Sequence, residues 1–485
     1  MILQRITSVY IALLFSVFLL AFPAGGYAEI DTFKYGLFLA VCGGYCVAVI
    51  VVRVQLAITG IRPFGKIRDA VREIPLAMRF LFMFLLFAAI SALLSPHAGV
   101  FIGSFRQEGL LTIAIYVIST FFLTLYFRPE NRMLLLIGIS VCLFCLLAFV
   151  QLTGANPFTL FPEGFNYYGA DVYFPGAFIS TIGNAGLGGA FVSIIAGVFS
   201  MILIKNENRR VWLLAIPLFL TVLLIFEMNI DAAVLALAVG FLLMLPVAAT
   251  NREELKRTLL VAAVIATAFA ISQVIVFGDG NTSFEPRGLV FLAGAATMLL
   301  LYVVAGKVKW SSVNSLIVTC LLVVGALLYL WFFGARHGGM MYEASQIMRG
   351  NWDDSFGSGR IFIWRNVIEN ISASNLLFGT GPDTLVFLTK VAFEYDIHID
   401  AAHNEYLHIF ATLGLFAFLS YMGFLATLAV QWYRRTGNKL SAIAGAGVLF
   451  YCIQAFFGIS MPITAPFFWV CAAVLIGSSK SDPAA

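Results

Sequence analysis

Charge is what this sequence has least of: Asp, Glu, Lys and Arg make up 11% of its 485 residues, where soluble domains carry about a quarter. Apolar residues reach 61% and the mean hydropathy is +0.96. A water-soluble globule, a disordered chain and a nucleic-acid binder built on basic patches are thereby excluded. Cysteine is also sparse. The 7 cysteines, at 42, 46, 142, 145, 320, 452 and 471, all fall in apolar runs without zinc-like clustering, and Cys42/Cys46 and Cys142/Cys145 have the helical spacing of packing residues. They read as small hydrophobes, which argues against a disulfide framework. A nucleotide-binding signature is missing too. The Gly-rich run Phe378-Gly379-Thr380-Gly381-Pro382 lacks the Lys-Ser/Thr that ends a phosphate loop, so it reads as a turn.

What the sequence has in abundance is apolar runs of membrane-spanning length. They lie at 6–24, 35–57, 76–95, 110–127, 133–153, 185–204, 211–226, 232–249, 258–277, 289–306, 312–333, 405–430, 441–458 and 464–478. The expectation is an all-α polytopic membrane protein of about 14 transmembrane helices. With 42 Gly and 47 Phe, it is suited to close helix packing in lipid. Sorting the loops by parity separates the charges. Most Lys and Arg share one set of loops, among them Arg62, Lys66, Arg68, Arg72, Arg128, Arg132, Lys205, Arg252, Lys256, Lys307, Lys309, Arg434 and Lys480. By the positive-inside rule that side is the cytoplasm and holds both termini. The other side carries most of the carboxylates and all five histidines. Arg5, the following apolar stretch and Ala24–Ala28 faintly resemble a signal peptide, but the run reads better as an anchor helix.

Two outer segments are long, 154–184 and 334–404, within a domain otherwise made of a membrane region (1–333) and C-terminal membrane helices (405–485). A loop of about 70 residues among tight connections marks function. Ile361, Trp364, Val367, Ile368 and Ile371 recur at helical spacing, predicting an amphipathic helix over 359–373 on the outer surface, with Ser358 as its cap. Trp364 suits the headgroup interface. Arg360 and Arg365 would point about 140° apart on a regular helix. His398, Asp400, His403 and His408 invite a metal reading, yet their spacing defines no rigid ligand face, so no metal and no cofactor are expected. Tyr167, Tyr168, Tyr173 and Phe174 offer either a sugar-facing wall or interfacial packing.

Gly359-Arg360-Ile361-Phe362-Ile363-Trp364, then Asn375 to Gly381, then Ala402-His403-Asn404-Glu405-Tyr406-Leu407 with Gly414 ten residues after Asn404, together resemble the O-antigen ligase family. Weaker echoes occur at Phe105-Arg106-Gln107-Glu108-Gly109-Leu110 and around Gly176 to Asn184. The resemblance implies a GT-C-like membrane glycosyltransferase of the ligase, polymerase or protein O-oligosaccharyltransferase type. It implies transfer of a glycan from an undecaprenyl-pyrophosphate carrier to the hydroxyl of a glycolipid, polysaccharide or protein, at the outer face of a bacterial cytoplasmic membrane. The bilayer is then a partner, and nucleic acid is not. His403 would match the essential histidine and Arg360 a pyrophosphate-binding arginine. Arg106 and Arg365 are further donor-binding candidates, ahead of Arg287 and Arg336, and Asn404 and Gly414 belong to the orienting helix motif. The chemistry fits. An imidazole is a base near neutral pH, and guanidinium forks match pyrophosphate oxygens.

The sequence also departs from the family pattern. Where members place an arginine at the mouth of an earlier helix, this chain has Glu227-Met228-Asn229-Ile230-Asp231, and Ala417 replaces the usual residue three after the glycine. Either another outer arginine, such as Arg106, takes the role, or the donor contact has changed, or the chain is an inactive member. A transporter or channel for a small anion or lipid-linked glycan is the alternative from another class. It would need polar residues lining a path, and Gln151, Asn314 and Gln454 are the notable ones.

Overall fold

A computed structural model describes residues 1–61, 74–162, 179–278, 281–389 and 399–478, and these are almost entirely helical. In chain order the helices are α1 (Ile2–Phe18), α2 (Gly26–Ile58), α3 (Leu76–Leu94), α4 (Leu110–Tyr126), α5 (Asn131–Leu152), α6 (Ala185–Lys205), α7 (Arg209–Glu227), α8 (Asp231–Ala248) and α9 (Arg252–Ser272). A hairpin of β1 (Ile275–Gly278) and β2 (Asn281–Phe284) follows. Then come α10 (Pro286–Ala305), α11 (Ser312–Arg336), α12 (Gly339–Met348), α13 (Phe356–Asn370), α14 (Leu385–Leu388), α15 (Glu405–Arg434), α16 (Lys439–Ala455) and α17 (Ala465–Gly477). Among the described residues ten helices are long and apolar enough to cross a membrane, while α1, α4, α16 and α17 are apolar but shorter. Every apolar run read from the sequence falls on one of these helices. The hairpin is the departure from an all-helical chain. The run expected to be helical to 277 ends at Ser272 and continues as a two-stranded antiparallel ribbon with Ile275 opposite Phe284.

The bundle is organised around α6, whose apolar window is 94% buried. Small residues make this possible, because in lipid the helices gain chiefly from close van der Waals contact. Phe450 of α16 seats against Gly197 of α6 and Gly240 of α8. A Cβ at either glycine would come within 2.8 Å of its ring. On the other flank α3 packs along α15, and α4 along α17. At the periphery, α11 has only 6% of its window buried.

The polar residues of the spans are structural. Gln151 donates to the Tyr27 hydroxyl at 2.6 Å and accepts from Ser180 N at 2.6 Å. Asn314 closes a capping box with Ser311 at the start of α11. Gln454 donates to Gly186 O at 3.3 Å. Gln151 and Asn314 are engaged locally, Gln454 Oε1 is buried without a partner, and none of the three lines the cleft that holds His403. Lys34, the charge near the start of α2, is buried. Its ammonium donates to Phe18 O (2.7 Å) and Leu19 O (3.0 Å), satisfying the carbonyl end of α1.

Candidate active site

The site is made by a break in α15. On a continuous helix Glu405 and Tyr421, sixteen residues apart, would be separated by about 24 Å along the axis. Their side chains meet at 2.6 Å. The chain therefore folds back sharply at Gly414, whose φ of 80° and ψ of 179° lie outside the helical region. The long span expected over 405–430 becomes two helices. One is a short segment starting at the site, and the other is a span from Leu415 onward, about 30 Å long. The run Phe378–Pro382, read as a plain turn, is what holds the fold-back. Leu415 N donates to Leu376 O (2.9 Å) and Gly381 N to Thr412 O (2.8 Å). Gly379 (φ 69°) and Gly414 face each other so closely that a Cβ on the first would lie 2.1 Å from Thr412 O, and on the second 2.4 Å from Leu377 O. Two glycine motifs thirty-odd residues apart thus form one joint.

At the buried end of the short segment Asn404 caps the helix, its Oδ1 accepting Leu407 N at 3.0 Å. His403, immediately before the cap, has φ of 47°, an uncommon conformation for a residue with a side chain. It lines a cleft of ≈ 60 Å³ with Arg106, Glu108, Glu405, His408 and Tyr421. Trp364, expected in the headgroup layer, instead donates from Nε1 to Ala402 O at 2.9 Å and lies against Phe456 and Phe457. It bolts α13 to the residue preceding His403. The rest of that helix packs likewise on protein, with Val367 in a small core with Leu385, Ile399 and Ala402, though Ile368 is exposed. The helix also starts differently from expectation. Gly357, Ser358 and Gly359 are all left-handed and Ser358 is no cap, so regular helix begins at Arg360.

Arg106 reaches the cleft from the loop between α3 and α4. Asp383 accepts from Phe105 N (2.9 Å) and Arg106 N (3.0 Å), fixing that loop. Arg106 Nη2 pairs with Asp400 at 2.8 Å, while its buried Nε has no partner. Arg360 donates Nη1 to Gly357 O at 2.7 Å, and its Nε is likewise buried and unpartnered. Burial draws its pKa down, opposed by the charges of Asp231 and Glu343. Asp231 stands at the mouth of α8, where the expected arginine is missing, but Arg360 itself is not among the residues that line the His403 cleft. Arg365 pairs with Asp354 at 3.0 Å, half exposed, and does not line the cleft. Arg336 lies over the Phe333 ring and Arg287 is exposed, both outside it. His398, Tyr167, Tyr168, Tyr173 and Phe174 lie outside the described residues, as do Arg62, Lys66, Arg68, Arg72 and Lys480. Among the described residues no three His, Cys, Asp or Glu side chains gather as metal ligands.

Burial lowers the His403 pKa to about 4. Repulsion from Arg106 and Arg360 adds to this, and Asp400 opposes it. The ring is therefore a neutral imidazole at physiological pH. Burial acts oppositely on Glu108, holding its carboxyl well above the usual range although Ser460 hydrogen-bonds to it. Glu108 and Glu405 stand in the sequence motifs without a role there, and the structure puts both in the cleft. Glu405 is buried with its oxygens accepting from Tyr421 and Tyr451, both at 2.6 Å. A carboxylate directly following a His-Asn pair was the available signal, but its partners lie sixteen and forty-six residues away. Glu405→Ala strands two buried phenol hydroxyls at about 1–3 kcal/mol each. The expected result is a fall in the melting temperature of the detergent-solubilised protein that Glu405→Gln partly restores.

Residues 286–422 match the family model described as O-antigen ligase, a segment running from α10 through the fold-back. No curated protein matches the chain. The matched segment holds Arg360, His403, Asn404 and Gly414 in one continuous stretch. Arg106 and Glu108 come from outside it and complete the cleft. Over residues 286–422, then, this multi-pass membrane protein is similar to the O-antigen ligase family, whose members carry out glycan transfer of the ligase or polymerase type in surface-polysaccharide synthesis.

Proposed function

We propose that the protein transfers a glycan from a polyprenyl-pyrophosphate carrier to an acceptor hydroxyl on the extracytoplasmic face of the membrane, with His403 as general base and Arg106 and Arg360 binding the pyrophosphate. The observation that carries this reading is the His403 imidazole lining one cleft with Arg106, whose buried Nε has no partner, while the charge of Arg360 acts on the ring from outside that lining. In the reaction the acceptor oxygen attacks the anomeric carbon, and the bond from that carbon to the pyrophosphate oxygen breaks. The electron pair leaves with the pyrophosphate, and the hydroxyl proton passes to His403. The two guanidinium groups stabilise the charge that develops on the leaving group, where exclusion of water strengthens them.

Donor binding also tunes the base. Without donor, the two arginines help to keep His403 deprotonated but weakly basic. A pyrophosphate between them neutralises both repulsions and raises the imidazole pKa toward its ordinary value. The base is then strongest when the donor is present, which protects the enzyme from premature protonation. Asp400, paired with Arg106, holds that guanidinium until phosphate replaces it.

The test is transfer from a purified polyprenyl-pyrophosphate oligosaccharide in proteoliposomes. Arg106→Lys and Arg360→Lys keep the charge and lose the fork. Each is expected to raise the KM for donor by about tenfold or more, the worth of a charge-assisted hydrogen bond. Unaltered donor use by both variants would remove the pyrophosphate role from these residues.

A further inference from the structure

Apart from the His403 cleft, with which it shares no lining residue, the bundle has a gap that its own side chains do not fill. Helix α10 leans on α9 and α11 on α8, and between the two pairs lies a slot of ≈ 590 Å³. Its walls come from all four helices, including Phe241, Leu259, Ala262, Met298 and Leu322. The lining is apolar almost throughout. The few polar groups are committed to protein: Trp310 Nε1 donates to Ala249 O (3.1 Å) and Ser315 Oγ (2.8 Å), and Thr258 donates to Glu254 O (2.8 Å). Interiors are close-packed, and an unfilled gap of this size forfeits contacts along its whole wall. In a membrane the filling at hand is an acyl chain. From Leu255 to Ala262 the slot follows α9 for about 10 Å from its mouth, a length that takes the upper part of one chain.

The mouth is built as well as open. Asn251 and Ser311 form a β-bridge that ties the loop before α9 to the loop before α11. Arg252 Nη1 donates to Gly306 O at 3.2 Å, and the Lys256 ammonium lies 5.1 Å from the Tyr302 ring centre. Lys307 and Lys309 flank Val308, which lines the slot, and both are exposed. Glu253 is shared between Arg252 and Lys256. Among the described residues no carboxylate pairs with Lys307 or Lys309, so the rim carries an excess of positive charge where a lipid headgroup would sit.

We propose that this slot is a binding site for one anionic phospholipid, its acyl chain between α9, α10 and α11 and its phosphate on Lys307 and Lys309. Basic pockets between membrane helices recognise acidic headgroups by the same charge complementarity. The bound lipid props α11, which is otherwise almost bare, and α11 leads directly into the loop that carries Arg360 and His403. The site stands independently of the glycan-transfer reading.

The test uses the full chain extracted in mild detergent from membranes of known lipid composition, with retained lipid identified by native mass spectrometry. One phosphatidylglycerol or cardiolipin per chain is expected, enriched over phosphatidylethanolamine relative to the bulk membrane. Lys307→Gln with Lys309→Gln should cut that enrichment by about fivefold per lysine. Ala262→Phe, filling the slot from α9, should abolish retention of any lipid there. If Ala262→Phe does not fold, the lysine pair carries the test alone, since both side chains are on the surface. Retention in bulk proportions, retention indifferent to the two lysines, or a polyprenyl lipid in place of the phospholipid would each overturn the proposal.

Discussion

His403→Ala is expected to lower glycan transfer by about 10²- to 10⁴-fold, the usual worth of a general base, while leaving the KM for donor within a few-fold of the parent. The ring lines the cleft, and the electrostatic contacts that hold the donor in the proposed reaction belong to Arg106 and Arg360. The pH dependence separates a base from a structural histidine. In the free enzyme the pKa is lowered to about 4, so kcat/KM for donor should stay level down to about pH 5 and fall only below it. With pyrophosphate bound the cationic form is favoured and the pKa rises. The acid limb of kcat should therefore lie at higher pH than that of kcat/KM, because the two report the complex and the free enzyme respectively. Equal transfer by His403→Ala, or coincident acid limbs, would sink the assignment.

Gly414→Ala is expected to be as damaging for a different reason. Its backbone conformation, φ 80° and ψ 179°, lies in a region that is essentially confined to glycine and costs about 1–3 kcal/mol for other residues. The added Cβ would also meet Leu377 O at 2.4 Å and Gly379 N at 2.5 Å, a backbone clash that adds about 1–3 kcal/mol. The fold-back is what brings Glu405 to Tyr421 and His403 into the cleft. Loss of the joint should abolish transfer and lower the yield of monodisperse protein on size exclusion. Gly325→Ala is the control. Nothing lies within 4 Å of a Cβ there, and alanine is the better helix former by about 1 kcal/mol. A Gly414→Ala protein as stable and active as the control would show that the bend has no such role.

The outcome at Arg365 shows why spacing was an incomplete guide. Read on a regular helix from 359, the two arginines diverge. The structure agrees that they part, but three left-handed residues set where the helix starts, and Asp354 captures Arg365. Trp364 illustrates the same limit. Its amphipathic surroundings are those of an interfacial anchor, and only the position of Ala402 O turns it into a support for His403. Arg106 was visible as an outer charge in a weak motif. Its place beside His403 depends on Asp383, 277 residues away, gripping its backbone N–H.

By itself the sequence determined the solvent, the helices and the chemistry available. Runs of apolar residues are a local property, and in lipid each run must satisfy its own backbone, so composition and period dictate helices without reference to neighbours. The motif around His403 and Gly414 named the residue types for the same reason, being contiguous in the chain. What tertiary structure decided was adjacency: the helix folded back on itself at Gly414, Arg106 and His403 brought into one cleft from segments far apart, and the buried clamp of Glu405 by two tyrosines. These depend on contacts between residues distant in sequence. Their favourable energy exists only once the helices have packed, and no local pattern records it.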